Sequence, residues 1–135
     1  MQTEKMRETA IQFLRFGLIG GLGFIVDVGF FHIALDILEL GHYGSAVFSF
    51  PFAATFTWLG NRVFTFKDRN AGHAGAQWAR FLAVCAVGFV LNRGTYSLMV
   101  MNLPLAHSYP VLALFGGTMA GMVFNFVFSK RLVFR

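Results

Sequence analysis

Four apolar runs divide the chain, at about residues 16–38, 45–64, 81–101 and 109–129, with short polar stretches between them. The runs are near-continuous. They therefore read as helices and not as the alternating strands of about 10 residues that build a membrane barrel. About 20 apolar residues in a helix cross the roughly 30 Å hydrocarbon layer, and each run reaches or approaches that length. The expected fold class is an all-α membrane protein with four transmembrane helices. The remainder, an N-terminal stretch of about 15 residues and a connector near 67–79, leaves no room for an aqueous domain, so 1–135 reads as a single transmembrane domain. Thr3 to Leu14 is weakly amphipathic, with Met6, Ala10, Phe13 and Leu14 opposite Lys5, Glu8, Thr9 and Gln12, which predicts a helix lying on the membrane surface. Ser45 and Ser108 are the expected N-caps of the second and fourth helices. Pro51 is expected to kink the second, because it leaves the carbonyl of Val47 without its helical donor.

The pattern occurs twice. TWLGNRVFTF (57–66) lies over NFVFSKRLVF (125–134) at an offset of 68, and IQFLRFGLIGGLGFIVDVG (11–29) over AQWARFLAVCAVGFVLNRG (76–94) at an offset of 65. The second alignment pairs Gln12 with Gln77, Arg15 with Arg80, Phe16 with Phe81, Gly23 with Gly88, Phe24 with Phe89 and Gly29 with Gly94. Each copy is a two-helix hairpin, repeat one at 9–66 and repeat two at 74–135. A hairpin crosses the membrane an even number of times, so the two copies form tandem repeats of parallel orientation.

Composition sharpens this picture. Hydrophobic residues make up 56% and charged residues 13%, with a mean hydropathy of +0.63, against about a quarter charged in soluble domains. Ten of the eleven basic residues fall on one side: Lys5, Arg7 and Arg15, then Arg62, Lys67, Arg69 and Arg80, then Lys130, Arg131 and Arg135. The connectors around 39–44 and 102–108 carry none. By the positive-inside rule both termini and the middle connector are expected in the cytoplasm, in a multi-pass protein of the cytoplasmic membrane. The net charge of +5 is thus a membrane-surface charge and not a nucleic-acid interface. The first run is too long for a signal-peptide core and contains Asp27, so it is expected to remain as a span. One cysteine, Cys85, permits neither an internal disulfide nor a multi-cysteine metal site, and is expected to pack.

The candidate chemistry is polar and positional. Asp27 lies 12 residues beyond Arg15, about 18 Å into the bilayer, and intramembrane ionisable groups are functional candidates by default. Its repeat mate is Asn92, followed by Arg93. Gly20, Gly23 and Asp27 share one helical face, and Cys85, Gly88, Asn92 and Tyr96 another. These faces are expected to meet, with Asp27 bonded to Arg93 or Asn92. A structural clamp and a transport role both fit such a site. The glycines of GLIGGLG (17–23) lack the spacing and the preceding strand of a phosphate loop, so Gly17/Gly21 and Gly117/Gly121 read as close helix packing. His32, Asp36 and Glu39, with His42 and His107, fit either a wetted helix end or a metal or sugar-binding lip, and no metal site is expected. At the other end Trp58, Phe64, Phe66, Phe126, Phe128 and Phe134 read as an aromatic belt. Arg15, Arg62, Arg80, Lys130 and Arg131 form two basic clusters suited to lipid phosphate, and Thr57, Asn61, Asn125 and Ser129 are polar helix-end positions that anchoring alone does not require.

In their order, RFGLIGGLGFIVDVGFFHIAL, TWLGNRVFTF, RFLAVCAVGFVLNRG and NFVFSKRLVF make a chain that resembles the GtrA-like family of small four-helix membrane proteins, from about residue 10 to 135. The resemblance implies translocation, or flipping, of a polyprenyl-phosphate-linked sugar to the outer leaflet for cell-surface polysaccharide or glycolipid synthesis, and a membrane glycosyltransferase as partner. Carried over by position, the family's Asp is Asp27, its Asn is Asn92, and its basic-aromatic helix ends are Asn61, Arg62 and Phe64, and Ser129, Lys130 and Arg131. Phe64 stands where many members have Trp, and Arg93 is an addition. The alternatives are a non-catalytic subunit that positions a polyprenyl-phosphate glycosyltransferase, and a proton-coupled cation or drug exporter working through Asp27. An enzyme is the least expected class, because no nucleotide-binding domain, acidic metal pair or nucleophile with a base is present; no cofactor is expected. Four helices make a thin wall for a polar path, so a homo-oligomer or complex is expected.

Overall fold

In a computed structural model, which describes residues 1–69 and 72–135, the chain is all helix. Helix α1 runs Gln2–His32 and closes in a π-helical turn, Ile33–Ile37; α2 is Gly41–Gly60, followed by a π-helical turn at Asn61–Thr65 and a 3₁₀ turn at Lys67–Arg69. Helix α3 runs Ala74–Asn102, the short α4 is Pro104–Ser108, and α5, Pro110–Phe128, ends in a third π-helical turn, Ser129–Val133. Residues 70 and 71 of the expected 67–79 connector lie outside the described residues, and α3 already starts within that stretch. Gln2–Ile37, Ala74–Asn102 and Pro110–Val133 are long and apolar enough to cross a membrane. Helix α2 forms where the second run predicts it, but Ser45, Ser49, Pro51, Thr55 and Thr57 dilute its hydropathy, and it is not among the three.

Three local expectations are corrected. The segment Thr3 to Leu14 is not a separate surface helix, because α1 is continuous from Gln2 to His32 and neither proline nor a breaking turn interrupts it. Helix α2 begins at Gly41, so Ser45 is a buried interior residue and not a cap. Ser108 ends α4, and α5 is introduced by Tyr109 with Pro110 in its first turn, where the missing N–H costs nothing. The helix also carries on through Pro51, with the Thr55 hydroxyl donating to the Pro51 carbonyl at 2.6 Å.

Helices α1 and α2 pack along their length as one hairpin, and α3 and α5 as the other. Each pair closes over a seam of small residues four apart: Ser45, Ser49, Ala53 and Thr57 on α2, and Ala113, Gly117, Gly121 and Asn125 on α5. Small residues let helix backbones approach closely where burial in lipid offers no hydrophobic drive. The seam brings backbone closest at Gly117 and Gly121. A Cβ on Gly117 would stand 2.5 Å from the Asn92 carbonyl oxygen, and one on Gly121 3.1 Å from both Asn92 Cβ and the Gly88 carbonyl. Gly23 accommodates the Thr57 hydroxyl, and its repeat mate Gly88 accommodates the Asn125 amide. Gly17 touches Met122 of α5, whereas nothing packs on Gly21.

The hairpins join at the basic end through Phe16, Phe66, Phe81, Val84, Phe126, Val133 and Phe134. Phe66 stacks on Phe134, ring centres 4.7 Å apart. Of the six aromatics expected in a belt, Phe66, Phe126 and Phe134 are therefore core, Trp58 is half-buried against it, and Phe64 and Phe128 remain exposed. The two π-helical turns explain this. Each is closed by an i to i+5 bond, Phe66 N–H to the Asn61 carbonyl at 2.8 Å and Phe134 N–H to the Ser129 carbonyl at 2.9 Å. The wider turn carries the closing phenylalanine round to the core side.

Candidate functional site

The basic end contains two joints between the hairpins, built from equivalent positions. In the α2–α3 joint, Gln77 is 2% exposed and its Oε1 accepts from both Trp58 Nε1, at 3.1 Å, and Arg62 Nη1. The Arg62 guanidinium lies 5.7 Å from the Trp58 ring centre, and Trp78 Nε1 donates to the Thr55 hydroxyl at 2.9 Å. In the α1–α5 joint the corresponding residues are Gln12, Phe126, Lys130, Phe13 and Val123. Phe13 and Phe16 meet Phe126 edge-on, Lys130 sits 5.8 Å from the Phe126 ring centre, and its Nζ donates to the Thr9 hydroxyl at 3.0 Å. Gln12 Nε2 donates to Glu8, but its buried Oε1 finds no donor. A base one helical turn beyond an aromatic thus recurs at both helix ends.

Beside these joints, α1 and the end of α2 enclose a groove of about 470 Å³ lined by Arg15, Leu18, Ile19, Leu22, Val63, Phe64 and Lys67. Its two cations share one end, since Arg15 Nη1 donates to the Phe64 carbonyl at 3.3 Å and Lys67 follows three residues on. The rest is aliphatic or aromatic. A π-helical turn makes this possible by exposing Val63 and Phe64 while burying Asn61 and Thr65, which are bonded to one another at 2.7 Å. Such a groove combines cationic donors for a phosphate with an apolar wall for a hydrocarbon chain. The sequence reading counted Lys67 among the cytoplasmic bases and not among the five expected at lipid phosphate; its signal is a base at the end of NRVFTFK, beyond the apolar run.

The five bases expected at lipid phosphate do not gather in one place. Arg15 lines the groove, Arg62 and Lys130 turn into the joints, and Arg80 and Arg131 are exposed. Among the polar helix-end positions, Asn61 Nδ2 donates to the Thr57 carbonyl at 3.0 Å and Thr57 to the Ala53 carbonyl at 2.8 Å. Asn125 Oδ1 and Ser129 Oγ are buried without partners.

The intramembrane residues are placed differently from expectation. Helix α1 makes no backbone approach to α3, so the Gly23 and Gly88 faces each meet their own hairpin partner and not each other. Asn92 packs on Gly117 and Gly121, Asp27 is half-buried on α1, and Arg93 is exposed, its guanidinium 5.5 Å from the Phe89 ring centre. Neither ion pair among the described residues joins Asp27 to Arg93. The helical wheel selects which residues share a face but not which neighbour that face meets. A double-mutant cycle of Asp27→Asn and Arg93→Met, read by unfolding in detergent, is therefore expected to give a coupling within about 0.5 kcal/mol, the additive limit for separated sites; a coupling above 1 kcal/mol would restore the pair. At the opposite end, His32 Nδ1 and Asp36 form an exposed 3.2 Å contact, and among the described residues no three such side chains converge on a metal position.

A family model described as GtrA/DPMS, transmembrane domain, matches residues 15–134. No curated protein matches the chain.

Proposed function

Because the chain belongs to the GtrA/DPMS transmembrane-domain family, we propose that it moves a polyprenyl-phosphate-linked sugar from the cytoplasmic to the outer leaflet of the cytoplasmic membrane. The family is associated with membrane proteins of sugar-lipid metabolism. The observation that carries the reading is the groove in which Arg15 and Lys67 face an apolar wall of Leu18, Leu22 and Phe64. A phosphate at the cations places the prenyl chain along that wall and leaves the sugar at the polar rim. In this reading α2 crosses the membrane with the other three long helices, the halves are parallel tandem hairpins, and the basic end faces the cytoplasm. Arg80, Arg131 and the joint bases Arg62 and Lys130 hold the anionic surface near the groove. Asp27, Asn92 and Arg93 lie beyond it, where a sugar leaving water would otherwise lose hydroxyl hydrogen bonds at a cost of kcal/mol amounts each. No catalytic step is assigned to the chain.

The test is reconstitution in liposomes with a polyprenyl-phosphate sugar, following its appearance at the opposite leaflet. Charge-assisted bonds of about 1.5–3 kcal/mol correspond to roughly 10- to 100-fold in binding. Arg15→Ala and Lys67→Ala are each expected to lower transfer at subsaturating lipid by that order. If the reconstituted wild type moves no more lipid than empty vesicles, the chain instead serves as the membrane subunit of a glycosyltransferase.

A further inference from the structure

The two joints are equivalent in position but not in content. The α2–α3 joint is filled: Trp78 occupies it and bonds to Thr55, and Trp58 and Arg62 converge on Gln77. In the α1–α5 joint the mate of Trp78 is Phe13 and the mate of Thr55 is Val123. The smaller, apolar pair leaves a groove of about 560 Å³ between the start of α1 and α5. Its polar wall carries Lys5 and Thr9, and its apolar wall Met6, Phe13, Val123 and Phe126. Lys130 reaches its edge through Thr9. Both acids of this stretch are engaged elsewhere, Glu4 with the Met1 amine at 3.7 Å and Glu8 with Gln12 at 3.1 Å, so none lines the groove. Each joint leaves one atom of its buried glutamine without a partner, Oε1 of Gln12 and Nε2 of Gln77, so the difference between them lies in the space and not in the amides.

We propose that the α1–α5 joint is a second lipid seat, separate from the Arg15–Lys67 groove, which takes the phosphate of an anionic membrane phospholipid on Lys5, Lys130 and the Thr9 hydroxyl and one acyl chain against Phe13 and Phe126. The charge arrangement favours an anion: the ammonium groups of Lys5 and Lys130 and the Thr9 hydroxyl, with Arg69 close enough to act on Lys130, outnumber the one nearby carboxylate, Glu8, which is bonded to Gln12. The apolar opposite wall favours a lipid over a free ion. Occupancy draws Lys130 off Thr9 and fills the space that Trp78 fills in the other joint. This seat requires only that the basic end lie at a headgroup surface, and not that the protein move lipid.

Binding of phosphatidylglycerol and phosphatidylcholine to the detergent-purified full chain, followed by native mass spectrometry, tests the seat. The wild type is expected to retain one phosphatidylglycerol at least 10-fold more tightly than phosphatidylcholine. Lys5→Met with Lys130→Met is expected to erase that preference. Phe13→Trp with Val123→Thr, which copies the filled joint and keeps both charges, is expected to lower retention of either lipid at least 10-fold. Arg7→Met, which removes an exposed charge of the same helix outside both grooves, is expected to leave it unchanged. Equal retention of the two lipids by the wild type, undiminished retention in the Trp/Thr variant, or displacement by inorganic phosphate at the lipid's own concentration would each overturn the proposal. Because no transfer is measured, a failed flipping assay leaves this result intact.

Discussion

Gly117→Ala is expected to pry open the α3–α5 hairpin, at a cost of about 1–3 kcal/mol or more, the range for overpacking a closed interface. The new Cβ would stand 2.5 Å from the Asn92 carbonyl oxygen and 3.0 Å from Asn92 Oδ1. The first of these atoms is backbone, inside a helix, and yields only if α3 and α5 separate. Side-chain rotation relieves nothing there, in contrast to Gly116, whose added Cβ would meet the flexible end of Met99. Gly20→Ala and Gly94→Ala are the controls, because nothing lies within 4 Å of a Cβ at either. They lose the backbone freedom of glycine and are expected to be neutral or to gain up to about 1 kcal/mol. Loss of helicity against increasing SDS in mixed micelles separates the two classes. Equal midpoints for Gly117→Ala and the controls would mean that the hairpin seam is not closed as described.

The second large effect is expected at Gln77, and the informative comparison is with Gln12. Gln77→Leu removes the common acceptor of Trp58 and Arg62 inside the α2–α3 joint. A bond from a charged donor is worth about 1.5–3 kcal/mol and a neutral one about 1 kcal/mol; removal of Gln77 Nε2, buried without a partner, offsets part of that, so a net loss of about 1–3 kcal/mol is expected, with a change in the emission of Trp58 as its indole loses its acceptor. Gln12→Leu at the equivalent position removes one bond to Glu8 and an oxygen that has no donor. Because an unsatisfied buried polar atom itself costs about 1–3 kcal/mol, that substitution is expected to be neutral or stabilising. Thermal unfolding of both variants in the same detergent provides the measurement. Matching losses would show that the joints are alike in strength and that the asymmetry is not energetic.

Much of the architecture was legible in the apolar runs, because length and continuity decide where a helix can form irrespective of its neighbours. Of the positions that the offset of 65 pairs, Phe16 and Phe81, Gln12 and Gln77, and Gly23 and Gly88 have matching burial. What hydropathy could not separate was core from belt. In a membrane protein the lipid and the interior are equally apolar, so Phe66 and Phe134 carry the same signal as the exposed Phe64 and Phe128. The π-helical turns were equally hidden, since one inserted residue at a helix end leaves the composition unchanged while rotating every side chain after it. Asp27 and Arg93 misled for a related reason: opposite charges at similar depth suggest a pair only if their helices are neighbours, and α1 and α3 stand diagonally across the bundle, each between α2 and α5. For the candidate site, Arg15 was visible as a base at the foot of an apolar run, whereas Lys67 became recognisable only when the turn after α2 brought it alongside.

Helix α1 also has a mechanical property. It is an unbroken rod of 31 residues, about 46 Å long, and it meets the last helix and its closing turn through Thr9, Phe13, Phe16 and Gly17, all in its first half. Beyond Gly17 its packing is on α2 and the turn after it, with Ile19 against Gly60, Gly23 against Thr57 and Phe30 stacked on Phe52. A tilt of roughly 10° of that outer half moves its far end by about 4 Å, given an arm of about 22 Å. The arm that carries Asp27 therefore moves only with α2, so the hairpin and not the single helix is the rigid unit.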